Sequence, residues 1–337
     1  ISEMVKQMFK LQKTFKVISV NLSVAAALIT LTEGRALSET TWADFMQSAN
    51  NYARKGNLDK AEEMYIAASK AEERFSTFNN LAWLYVSQKR VSDAKVMFKK
   101  AIVAGSREFG ADSIKVLMAA KDLADLCNKT GEIEQAETLY RKVLSGKSVL
   151  SSKERISTLK SLTLLYFNYR KFSEAESTCA ELLVAEQQVL GDSAEVALTM
   201  SDLAYAHEFE EKFAVAESQY KKALEMAEKT TGKTSLEVAN ISNRLAGLLH
   251  KEQKDKEAED LYKKTLNIRS KLLGEENKST ILTLNDMGSF YADLGQNQLS
   301  KIMYERALKS AEKTFPANDP NLSACRESYK KVLKKLE

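Results

Sequence analysis

Few of these 337 residues could do covalent or acid–base chemistry: two histidines, three cysteines and scattered acidic pairs. A histidine can act as a general base and a cysteine as a nucleophile, but each needs partners at a defined spacing. No His-Glu-x-x-His, Cys-x-x-Cys, glycine-rich phosphate loop or nucleophile elbow occurs, so no enzyme activity, metal or cofactor is expected. His207, Cys127 and Cys179 fall where related segments carry packing aromatics, which assigns them to the core. Pairs such as Glu62-Glu63 and Glu72-Glu73 read as solvated helix exteriors. The chemistry that remains is recognition. Asn79, Asn128, Asn243 and Asn285 each offer a donor and an acceptor, the pair that a peptide backbone requires. Trp83, Leu164, Phe167, Tyr205 and Phe209 offer apolar contact, and Lys121 and Lys160 would favour an acidic or carboxylate-bearing ligand.

Helices must position these side chains. The two prolines, Pro316 and Pro320, both lie near the C-terminus, and Ala, Leu, Glu and Lys dominate the rest. No sustained period-two alternation marks a strand. Seven segments share a small residue four before an aromatic or Cys: Ala61–Tyr65, Ala94–Phe98, Ala136–Tyr140, Ala175–Cys179, Ala216–Tyr220, Ala258–Tyr262 and Ser300–Tyr304. Their spacings, 33, 42, 39, 41, 42 and 42, are those of a repeat array. Thirteen and twelve residues before the anchors stand Leu81-Ala82, Leu123-Ala124, Leu162-Thr163, Leu203-Ala204, Leu245-Ala246 and Met287-Gly288, with Ser48-Ala49 as a weaker first copy. The small members allow close helix approach, and short polar breaks such as Lys129-Thr130-Gly131 separate the two signatures. Each unit therefore reads as helix A, tight turn, helix B. Gly110, Gly191, Gly232 and Gly274, in the loops between units, fit a left-handed C′ position ending helix B.

The Leu-Ala…Tyr…Ala…Tyr pattern resembles the tetratricopeptide repeat. The long period, with Tyr-Lys-Lys-Ala-Leu at 220–224 and Phe-Asn-Asn-Leu-Ala-Trp-Leu-Tyr at 78–85, is similar to the kinesin-light-chain type, although no heptad coiled coil precedes it. The resemblance implies an all-α fold: an α-solenoid, a right-handed superhelix of about seven repeats over 38–319 with a capping helix at 320–337. It also implies that helix A lines a concave groove. Counting back fifteen, eleven, eight and seven residues from the anchors places Asn79, Trp83, Lys121, Asn128, Lys160, Leu164, Phe167, Tyr205, Asn243 and Asn285 there, with His250 beside them. In the kinesin-light-chain family the matching asparagines contact peptide cargo, a role carried over to Asn79, Asn243 and Asn285. The two-carboxylate clamp of chaperone-binding relatives is incomplete, because Leu164 follows Lys160 and Asp125 follows Lys121 where Asn is needed.

A non-enzymatic scaffold that holds an extended peptide is the function expected, with self-association through end helices or the convex face as the alternative. A net charge of +4 without basic blocks points away from nucleic acid. Residues 1–37 form a separate N-terminal segment. Its Lys10, Lys13 and Lys16, the uncharged stretch from Val17 to Thr32 and Gly34-Arg35-Ala36 resemble a secretory signal peptide. An extra helix packed on the first repeat is the other reading. Export to the periplasm would follow from the first, a cytoplasmic location from the second.

Overall fold

The computed structural model describes residues 41–146 and 148–337; the N-terminal segment read as a signal peptide or extra helix lies outside them. Among the described residues there are fifteen α-helices and no strand. They divide into two compact units, with the boundary after Ser151. In the first unit, α1 (Trp42–Arg54) and α2 (Leu58–Ala71), α3 (Phe75–Ser87) and α4 (Val91–Phe109), and α5 (Ile114–Lys129) and α6 (Ile133–Ser145) form three antiparallel hairpins. In the second, α7 (Ser152–Asn168) and α8 (Phe172–Leu190), α9 (Ala194–Phe209) and α10 (Phe213–Thr231), α11 (Leu236–Lys251) and α12 (Asp255–Leu273), and α13 (Lys278–Asp293) and α14 (Asn297–Thr314) form four more. The last helix, α15 (Pro320–Lys334), packs on α14 through Leu322 and Cys325, and its N-cap Asp319 accepts from the Asn321 amide.

Each hairpin closes on the two signatures read in the sequence. Ala49, Ala82, Ala124, Ala204 and Ala246 on the odd-numbered helices are fully buried, as are Ala61, Ala94, Ala136, Ala175, Ala216 and Ala258 on their partners. At such a crossing a methyl is the largest group that fits. The seventh pair shows why the residue types vary together. A Cβ added at Gly288 would sit 2.6 Å from the Tyr304 ring, and the facing Ser300 hydroxyl donates to the Gly288 carbonyl at 2.8 Å.

Successive hairpins are pinned by a repeated polar contact. Glu62, one residue past its alanine anchor, accepts from the Tyr85 hydroxyl at 3.0 Å and from Arg90 at 2.7 Å on the next hairpin. Lys212 reaches Glu176 and Lys254 reaches Glu217, each at 2.8 Å, and Tyr291 donates to Glu259 at 2.7 Å. Between the second and third hairpins the signs are exchanged: Lys95 follows the anchor, and the carboxylate is Glu132.

The inter-hairpin glycines differ from expectation. Gly110, Gly232 and Gly274 have φ of 88, 87 and 83° but ψ of 150, 157 and 168°. That is an extended, glycine-only conformation rather than the left-handed helical one, because the chain must reverse sharply into the next helix. Ser193 and Ser235 just beyond cap that helix, accepting from Val196 and Val238 at 3.2 Å.

Candidate functional site

In the second unit, residues of α7, α9 and α11 line a shared cavity of about 870 Å³, which Asp286 of α13 also borders. One wall is apolar. Leu164, 56% exposed, stands near Phe167, whose ring lies 5.6 Å from Tyr205; Tyr205 meets Phe209 edge-on at 4.8 Å. Phe172, from α8, stacks flat on Phe209 at 4.1 Å and braces that wall from behind.

The floor is charged, and its cations are matched internally. Lys160 reaches Glu186 at 2.7 Å, and the Thr199 hydroxyl donates to the other oxygen of that carboxylate at 2.6 Å. Arg244 donates through Nη1 to Asp202 at 2.6 Å and to Ser201 at 3.2 Å, and its guanidinium lies 5.1 Å from the centre of the Tyr205 ring. Lys251 reaches Glu208 at 2.5 Å, and the Tyr220 hydroxyl donates to the same carboxylate at 3.2 Å. Asn243 donates to Asp286 at 2.9 Å, while burial holds the Asp286 carboxyl above the usual carboxylate range. Glu186 and Glu208, buried under half-exposed lysines, and Asp202 beside Arg244 hold the cation heads in place and leave little uncompensated charge.

Of the ten residues selected from the sequence, Lys160, Leu164, Phe167, Tyr205 and Asn243 line this one cavity. Asn285, also in the second unit, is half-buried on α13, and its Oδ1 is buried without a partner among the described residues. Asn79, Trp83, Lys121 and Asn128 belong to the first unit, where the same offsets carry a different chemistry. Trp83 is 49% exposed and edge-on to Phe98 at 5.8 Å. Burial raises the Asp122 carboxyl to about 6. Lys121 folds onto Asp125 at 2.9 Å, and Asp125 accepts from Tyr140 at 2.5 Å. Asn79 and Asn128 are half-buried.

Sequence reasoning passed over Asp202, Asp286 and Glu186. A signal existed for the first two. The position fourteen before the anchor carries a charge in four of the seven repeats, Asp122, Asp202, Arg244 and Asp286, inserted next to apolar signature residues. Glu186 comes from a helix B and carried none.

The remaining chemistry-bearing side chains are structural. His207 is buried between Gln219, 2.7 Å from Nδ1, and Glu176, 3.1 Å from Nε2. His250 packs on Phe290 with Nδ1 2.7 Å from Asp255. Burial pushes the Cys127 and Cys179 thiols up to about 11 and about 12, which leaves them protonated and unreactive at neutral pH. Among the described residues no cluster of three His, Cys, Asp or Glu could hold a metal ion, and no helix is long and apolar enough to cross a membrane.

Comparison with curated proteins finds no match. Solved structures give the fold. BtubC (BKLC) from P. vanneervenii superposes over 61% of this chain and 82% of its own at 22% identity and TM-score 0.51. A tetratricopeptide repeat protein from Parabacteroides merdae covers 87% and 98% at 15% identity and TM-score 0.53. A Podospora anserina putative kinesin light chain with nearly identical TPR-like repeats covers 58% and 95% at 16% identity and TM-score 0.50. Two family models described as tetratricopeptide repeat match the sequence itself, one at residues 73–147 and 237–313 and the other at 196–237. Because those matches take in more than half of the residues and each falls on the paired helices described above, this chain belongs to the tetratricopeptide repeat family, whose members are generally non-enzymatic scaffolds for protein–protein interaction.

Proposed function

We propose that the helix-A groove of the second unit binds an extended peptide segment of a partner protein, with an apolar side chain seated against Leu164, Phe167, Tyr205 and Phe209. The observation that carries this reading is that apolar wall, contiguous and open to a cavity large enough for several residues of extended chain. Charge takes second place. Lys160, Arg244 and Lys251 already face carboxylates, so an acidic residue in the ligand adds selectivity more than affinity. A single peptide would bind near micromolar strength, about −8 kcal/mol.

The test is selection of random twelve-residue displayed peptides on the full chain and on Leu164→Asp, a substitution at an exposed position that the fold tolerates. Peptides enriched on the wild type should bind the variant at least tenfold more weakly. Equal binding by both proteins would remove the groove from consideration.

A further inference from the structure

The outer surface of α4 departs from that of the other B helices in charge and in polarity, and both departures fall on one stripe. On α6, α10 and α12 the residue after the anchor is an acid that pairs with a base one turn later on the same helix. Glu137 meets Arg141 at 3.1 Å, and Glu217 meets Lys221 and Glu259 meets Lys263, each at 2.8 Å. Such pairs cancel much of the outward charge of their helices. On α4 the acid is replaced by Lys95, which turns away to Glu132 of the next hairpin. Lys99, one turn later, is left without that counter-ion. Lys99 and Lys100 are both exposed, and among the described residues neither lies within ion-pair distance of a carboxylate. Lys100 instead lies 5.6 Å from the centre of the Phe78 ring.

The apolar residues coincide with that charge. At the positions two and nine past the anchor, the other B helices carry at most one aliphatic residue: Ser177 and Val184 on α8, Ser218 and Glu225 on α10, Ile302 and Lys309 on α14. On α4 both are valine, and Val96 is 49% and Val103 52% exposed. Spacings of three and four put Val96, Lys99, Lys100 and Val103 on one face over two turns, with the lysines between the valines. Arg107 continues the stripe and lies 3.9 Å from Glu73.

A half-exposed valine or a solvated lysine is ordinary on its own. Their coincidence on the B helix that has exchanged its acid for a lysine is not. An occupant of this stripe must cover two aliphatic side chains roughly 10 Å apart along the axis and place negative charge between them. An α-helix with apolar residues seven apart, and Asp or Glu three and four residues after each, does both when it lies along α4. Nucleic acid would set phosphate against the valines. The α8 face of a second copy fits poorly, because Glu181 beside its Val184 already meets Arg155 at 3.1 Å. We propose that the Val96–Val103 stripe of α4 docks an acidic amphipathic helix of a partner protein. The stripe lies in the first unit and does not depend on the groove reading above.

The probes are two alanine-based helical peptides of three heptads with Leu at every seventh residue. One carries Glu and the other Lys at the third and fourth residues after each Leu. Fluorescence anisotropy with the full chain should show saturable binding of the Glu peptide. Reversing the charge with Lys99→Glu and Lys100→Glu together, or breaking the apolar contact with Val96→Asp and Val103→Asp together, should weaken it about tenfold or more. The matched reversal on α10, Lys221→Glu with Lys222→Glu, should leave it unchanged, and the Lys peptide should bind the α4 reversal alone. All these positions are exposed, and thermal melting confirms that each variant is folded. Equal losses from the α4 and α10 reversals, or binding indifferent to the valines, would reduce the stripe to unspecific charge and overturn the proposal. An unbound Glu peptide overturns it as well. So does α4-dependent dimerisation in sedimentation, which makes a second copy the occupant, or α4-dependent sedimentation with phosphatidylglycerol vesicles in place of peptide binding.

Discussion

Lys121 and Lys160 stand at the same offset in adjacent hairpins, one in each compact unit, yet they are held in unlike ways. Lys121 folds along its own helix onto Asp125, a half-exposed carboxylate that also accepts from Tyr140. Lys160 covers Glu186, whose side chain is fully buried. The helix-A face of the first unit is therefore self-satisfied, with Lys121 tied to Asp125 and Asp125 in turn to Tyr140. That of the second unit buries Glu186 and Glu208 beneath its lysines and leaves aromatic surface open. Equal repeat positions do not confer equal availability to a ligand.

The largest effect should come from separating the two lysines. Lys160→Met strands a buried carboxylate and should cost about 3 kcal/mol at pH 7, whereas Lys121→Met should cost less than about 1 kcal/mol. Urea unfolding of both variants measures the difference, and equal losses would erase the contrast between the units. It follows that alanine at Lys160 is a poor probe of binding, because the fold would suffer first.

Two aspartates at the same offset, Asp122 and Asp202, sharpen the comparison. Asp122 has no cation comparable to the Arg244 that faces Asp202, and its folded pKa of about 6 lies above the ordinary value of 3.8. The native state therefore holds the Asp122 proton more tightly than the unfolded chain does. Stability from this group is present at low pH and is lost as pH rises from about 4 to about 6. Asp122→Asn should flatten that decline and stabilise the protein at pH 7 by about 1–2 kcal/mol, allowing for solvent near the group. Asp202→Asn should do the reverse, since it leaves Arg244 without its counter-ion. Denaturant midpoints between pH 4.5 and 7.5 read both signs.

The smallest effect concerns the tight turns. Gly56, Gly131 and Gly295 occupy the left-handed conformation there, but Lys89, Arg170, Glu211 and Gln253 adopt it with φ of 59, 56, 60 and 61°. Gln253→Gly relieves that strain while loosening the unfolded chain, so the net gain should be a few tenths of a kcal/mol. Gly131→Ala should instead lose about 1 kcal/mol. Paired thermal melts would show the opposite signs.

The hairpins were legible because alanine and aromatic anchors recur at near-constant spacing, and burial at a helix crossing permits few alternatives. The helix-A face was legible for the same reason, which is why Lys160, Leu164, Phe167, Tyr205 and Asn243 came together. Periodicity could not reveal Glu186, because a helix-B acid reaching under a helix-A lysine belongs to one hairpin and has no copies to betray it. The extended glycines were misjudged for a related cause. Their sequence signals that φ is positive, but ψ is set by where the next helix must start.

The exchanged pair between Lys95 and Glu132 has a consequence for how such a chain can be edited. Arrays of this kind lengthen and shorten when near-identical segments recombine out of register. Excising the third hairpin here would bring Lys95 up to Lys171 and set two positive charges together. The second and third hairpins are thus mutually addressed. Copy number can drift more freely elsewhere in the array than across that junction.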